Sequence, residues 1–181
     1  MDTGTVAIDI AEDSLARLRR IRKNPQTRWT MARRQFRYAV ACTVFSAVSV
    51  EVSLKRFIAG RIWFQTRMPE RKVLRGTWPE RPTVQQMLKF VKSASRIDPE
   101  LLKDVQELFE HRNRMVHTSV SMEESTEDHP ERGPTHSRWL HTHKVGAEDV
   151  ERAEWCVDVA TRARRALGEA YKDPEWKPFE R

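Results

Sequence analysis

Arg112, Asn113 and His117 fall within six residues of one another at the end of an otherwise apolar stretch. An arginine presents a planar fork of donors that suits a phosphate, and a histidine exchanges a proton near neutral pH. Asn113 can orient either group, and Arg114 adds a second positive charge. Arg112 also falls where the period of Leu101, Val105 and Leu108 calls for a core residue. A guanidinium buried there without a partner would be costly, so it is expected to serve a partner or to sit where the bundle face opens. Five positions separate Arg112 from His117, about 140° around a helix and ~7.5 Å along it. One chain therefore does not present both on one face, whereas two chains about a two-fold axis would bring two such pairs into one cleft.

Other charged residues offer weaker chemistry. Glu51 interrupts the most apolar part of the chain, either to orient Arg112 or Arg114 or to pair with Lys55 at i, i+4. Arg33, Arg34 and Arg37 surround Phe36 and Tyr38, a basic and aromatic mixture that could track an RNA backbone or form an exposed helix start. His136, His141 and His143 have no cysteine beside them and few carboxylates, so they read as a solvated loop and no metal site is expected. Cys42 and Cys156 are isolated, without zinc or redox spacing, and read as buried thiols in a reducing compartment.

The elements that must position these residues are helices. Glu12–Lys23 carries Leu15, Leu18 and Ile21 on one side and is ended by Asn24-Pro25. A long helix is expected from about Thr30 to Ala59, with Gly60 as its stop. It is apolar nearly all round between Ala39 and Val50, and therefore central. Thr83 with Gln86 has capping-box spacing, and Asp98-Pro99-Glu100 is a second start signal. A last helix runs from about Ala147 to Tyr171. Long loops are expected at about 61–82 and 119–145, the second with a short hairpin around Arg138–Val145. The tail 172–181 is expected to be irregular. The fold class is all-α, a four- to five-helix up-and-down bundle forming one domain over residues 1–181.

Composition narrows the classes. The 39% apolar and 33% charged residues describe a soluble, helix-prone chain, and only 6 glycines argue against a sheet rich in tight turns. The charge is uneven: residues 1–90 hold 18 Lys+Arg and 7 Asp+Glu, whereas 91–181 hold 15 and 19. A basic half is compatible with nucleic acid, an anionic surface or simple solubility. The longest uncharged run, Tyr38–Val50, is 13 residues against the ~20 a spanning helix needs. With no basic leader before Ile10, the expected location is cytoplasmic, without membrane partners.

Arg112-Asn113, followed after three residues by His117, at the end of the third bundle helix with a further helix after it, resembles the signature of HEPN domains. These are small all-α domains of prokaryotic toxin–antitoxin, defence and RNA-processing systems. Their signature is an Arg, four to six residues, then a His, commonly with Asn, Asp or His directly after the Arg. The resemblance covers about residues 31–171 and leaves the basic N-terminal helix and the loop 61–82 unexplained. It implies a metal-independent endoribonuclease without cofactor, with RNA as substrate, a composite site at a homodimer interface, and an antitoxin or defence-system partner. It assigns proton transfer to His117 and the phosphate clamp to Arg112, with Asn113 orienting and Arg114 adding charge; Glu51 is a supporting candidate on its own placement. Some family members carry a Tyr two places after the His where an antitoxin modifies them; Ser119 stands there, which argues against tyrosine AMPylation. The alternative is a catalytically inactive helical module that binds RNA or protein.

Overall fold

The computed structural model describes residues 2–23, 28–67, 81–118 and 147–172; within them the side chains of 22–23, 28–33, 63–67, 117–118 and 147–149, Arg33 and His117 included, lie outside that description. Among the described residues the chain is all-α: α1 (Thr3–Lys23), α2 (Arg28–Arg67), α3 (Val84–Ala94), α4 (Pro99–Thr118) and α5 (Ala147–Lys172), with no strand. The segment 119–145 with its expected hairpin, the three loop histidines and the tail beyond Lys172 lie outside the described residues.

Helix α1 starts nine residues before the expected Glu12. Asp2 caps it: its Oδ1 accepts the Gly4 amide at 2.9 Å and its carbonyl accepts the amides of Thr5 and Val6. Acidic Asp9, Glu12 and Asp13 precede basic Arg17, Arg19 and Arg20, so the charges follow the helix dipole. Ala7, Ile8, Ala11, Leu15 and Leu18 are buried, which makes α1 part of the core rather than an appendage to it.

Helix α2 passes through Gly60 and ends at Arg67. Gly60 is not a stop but a close-approach site, because a β-carbon there would overlap the Tyr171 ring of α5. The expected loop start, Arg61, is instead buried in the helix. Along α2 the buried residues Ala39, Cys42, Thr43, Ser46, Ala47 and Ser49 are small, and they let α1 and α5 pack closely on either side. By length and composition the stretch Arg34–Ile62 could cross a membrane, and 44% of its most apolar window is buried inside the bundle. Counting only uncharged residues hides this, because the window tolerates isolated charges.

The local start signals behave as their chemistry dictates. Thr83 and Gln86 exchange both capping-box hydrogen bonds, and the Asp98 carboxylate accepts the Glu100 amide at 2.9 Å. In α5, Val150, Val157, Ala160 and Leu167 are buried as their spacing requires, whereas Tyr171 is exposed.

Side-chain ties fix the directions. The Cys42 thiol donates to the Ala11 carbonyl at 3.4 Å and Arg56 pairs with Asp2, so α1 runs antiparallel to α2. Thr43 meets Cys156 at 3.6 Å and Arg61 donates to the Ala170 carbonyl, so α5 runs parallel to α2. Arg152 pairs with Glu107, and Arg162 with Asp104 at 3.0 Å, so α4 runs antiparallel to α5. The result is an up-and-down four-helix bundle with α3 inserted between α2 and α4, packed on both.

Candidate functional site

These directions gather the C-terminal ends of α1 and α4 with the N-terminal ends of α2 and α5 at one end of the bundle. Two positive and two negative helix ends meet there, so their dipoles largely cancel. Side chains must supply the field. Arg17, Arg19 and Arg20 of α1, Arg34 and Arg37 of α2, and Arg112 and Arg114 of α4 all belong to this end. Arginines of the basic half of the chain and the helix end that carries the Arg–His motif therefore share one end of the bundle.

Arg112 continues the buried stripe of Leu101, Val105 and Leu108 but is itself half-exposed. Its Nη1 donates to Asn113 Oδ1 at 2.8 Å, so the side chain that follows it in sequence holds its fork. Asn113 and Arg114 are exposed, and Val116 is 43% exposed beside Met115, which packs on the core. Helix α4 stays regular through His117 to Thr118. Regularity keeps Arg112 and His117 about 140° apart, so the two backbones do not converge within one chain.

Glu51 is placed elsewhere. Its carboxylate takes the Lys55 ammonium at 2.6 Å. The register explains why: Thr43 is level with Cys156, so Glu51 lies near the level of Arg162 and its partner Asp104. Arg112 is eight residues further along α4, about 12 Å up the axis. The structure thus seats Glu51 with Lys55 and away from the motif.

Arg34 and Arg37 are exposed, whereas Phe36 and Tyr38 are half-buried. Tyr38 packs on the core, close enough to Arg17 to raise that guanidinium's pKa together with Asp13. Of the two rings expected to offer stacking surface, Tyr38 is committed to packing and Phe36 is half-buried, while the Arg34 and Arg37 charges are presented to solvent. Sequence reasoning passed over Arg20, exposed on α1 at the same level; the change from acid to base along α1 is the signal that marks it.

The two thiols are inert. Burial pushes the Cys42 thiol up to about 12, with the Cys156 thiol nearby adding to the shift. Burial likewise lifts Cys156 to about 11, partly opposed by its hydrogen bond with Thr43. Among the described residues no three His, Cys, Asp or Glu side chains come together as a metal site. In comparisons with known proteins the chain matches no family model, no curated protein and no solved structure.

Proposed function

We propose that this chain is a metal-independent endoribonuclease of HEPN type that works as a homodimer in the cytoplasm. It acts as a toxin or antiviral defence effector, with an antitoxin or defence-system partner. The observation that carries the reading is the coincidence of Arg112, Asn113 and His117 with the arginine-rich end of the bundle. A regular helix through His117 gives a physical reason for two copies, since each chain offers its Arg and His on different faces.

In this reading His117 takes the proton of a 2′-hydroxyl as its oxygen attacks phosphorus. The bond from phosphorus to the 5′-oxygen breaks, and the partner's His117 returns a proton to that oxygen. The products are a 2′,3′-cyclic phosphate and a 5′-hydroxyl. Arg112, oriented by Asn113, holds the charge that grows on the phosphorane. Arg114 adds to that charge, and Arg33, Arg34 and Arg37 gather the RNA.

A second reading, a catalytically silent RNA- or protein-binding module, is favoured by one observation: the Arg112 guanidinium is already bonded to Asn113 on a half-buried stripe. Incubation with total RNA and EDTA separates the two. The nuclease cleaves with chelator present, and both His117→Ala and Arg112→Ala abolish cleavage. Equal cleavage by wild type and His117→Ala would sink the assignment of the site, and binding without cleavage by any form supports the module.

A further inference from the structure

The bundle end that carries Arg112 also carries a strip of α2 that, among the described residues, no neighbouring helix covers. Cys42 and Arg56 mark the side of α2 that faces α1, and Thr43 and Arg61 the side that faces α5. Helix α4 packs on α2 and α5 but not on α1, so it occupies the opposite flank. At about 100° per residue, Arg34 lies some 80° from Cys42 on the side away from Thr43. It is thus next to the α1 seam, where Tyr38 meets Arg17. Arg37 follows about 60° further round, towards the flank of α4. Both are exposed, as the uncovered strip requires.

Among the described residues their charges have no ionic partner. Arg17 is held by Asp13 at 2.9 Å and Arg19 by Glu154 at 2.7 Å. Arg20, Arg34 and Arg37 hold no ion pair among the described residues and are exposed. Arg20 sits level with Arg34, since Ala11 lies opposite Cys42 on antiparallel helices.

We propose that Arg20, Arg34 and Arg37 form a phosphate track that crosses the bundle end from α1 over α2 to Arg112 on α4, and that its occupant is single-stranded RNA. The track spans two interhelical spacings, about 16–20 Å, so the substrate is a strand of several nucleotides and not a dinucleotide. With Tyr38 packed on the core and three guanidinium groups exposed, the strip grips phosphates, which carry no base identity. A duplex is a poor fit, because double-stranded recognition spreads over about 16 base pairs. An anionic membrane is a poor fit too, since interfacial binding needs an apolar face beside the basic one. Among the described residues the large exposed apolar ones are Ile10, Val116 and Tyr171, and of these Val116 alone, one turn beyond Arg112, lies at this end, which does not make an apolar face. The inference rests on the ribonuclease reading for the fate of the strand, not for its capture.

The test measures capture alone. A fluorescent oligouridylate of about twelve nucleotides, within the range such tracks cover, is titrated with full-length protein carrying His117→Ala, which removes cleavage. The same protein with Arg20→Ala, Arg34→Ala and Arg37→Ala is expected to bind at least about tenfold more weakly near 0.1 M salt. Its slope of log affinity against log salt should fall by about 2, at ~0.7 per phosphate released. Lys89→Ala with Arg165→Ala, at other surfaces, is the control and should change neither. Matching circular dichroism and melting curves establish that the triple variant is folded, as alanine in exposed helix allows. Unchanged oligouridylate binding by the triple variant overturns the track. So does a loss seen only with duplex RNA or only with phosphatidylserine vesicles. If the wild type cleaves nothing yet the triple variant loses the strand, the nuclease reading fails and the track stands.

Discussion

The ring of Tyr171 lies against the backbone of Gly60, filling the space a β-carbon at position 60 would need. Gly60 costs α2 about 1 kcal/mol relative to alanine in an exposed helix, and the contact with α5 is what it allows. Gly60→Ala in a Tyr171→Ala background should stabilise the protein by about 1 kcal/mol. With Tyr171 present the gain should vanish or reverse, because the ring must swing out. Urea unfolding of the four proteins measures this as a coupling of about 0.5–1 kcal/mol; a coupling of zero would show that the ring rests elsewhere.

Arg61 ties α2 to the last turn of α5. It is 7% exposed, stacks over Phe57 at 5.2 Å and donates to the Ala170 carbonyl. Charged hydrogen bonds of this kind are worth about 1.5–3 kcal/mol. Arg61→Ala should therefore lower stability by about 2–3 kcal/mol. Arg61→Met, which keeps the stem, should recover part of the loss. Equal losses in the two variants would assign the whole effect to the lost hydrogen bonds.

Asp2 gives the fold an acid-sensitive tie. The Gly4 amide holds its carboxyl below the usual 3.8, with Arg56 and Arg164 lowering it further against partial desolvation. A depressed folded value means that the stabilisation is present above the unfolded value and lost as pH falls through the folded one. Melting temperature followed from neutral pH into the acid limb should drop less steeply in Asp2→Asn than in wild type. Identical acid limbs would remove Asp2 from the account.

The cysteines act at the other end of the scale. With the Cys42 thiol at about 12 and Cys156 at about 11, both folded values lie above the unfolded thiol near 8.5. Their contribution is complete below that value and is lost as pH rises through the folded values. Cys42→Ala with Cys156→Ala should flatten the alkaline limb of a stability profile; a limb as steep as that of wild type would place its cause in other groups.

Local chemistry was legible in the sequence, and tertiary chemistry was not. Thr83 with Gln86, and Asp98 before Pro99, announce helix starts because their hydrogen bonds close within four residues. The first turns of α1 are invisible to periodicity, since Thr3, Gly4 and Thr5 are poor helix formers held by Arg56 and Arg164 from far along the chain. Gly60 looks like a stop until the ring from α5 is known. The motif itself was readable as spacing, but its placement at the same bundle end as Arg34 and Arg37 depends on helix directions that only packing defines. Glu51 shows the converse, for its partner was the near one, Lys55.

The bond between the Cys42 thiol and the Ala11 carbonyl makes that sulfur a sentinel for α1. It is sealed while α1 is docked, and Cys156, turned to Thr43, is sealed while α5 is docked. A thiol reagent added under native conditions then reports two separate openings of the same molecule. The order in which the sulfurs are trapped records which helix leaves the bundle first, written into the chain by its two cysteines.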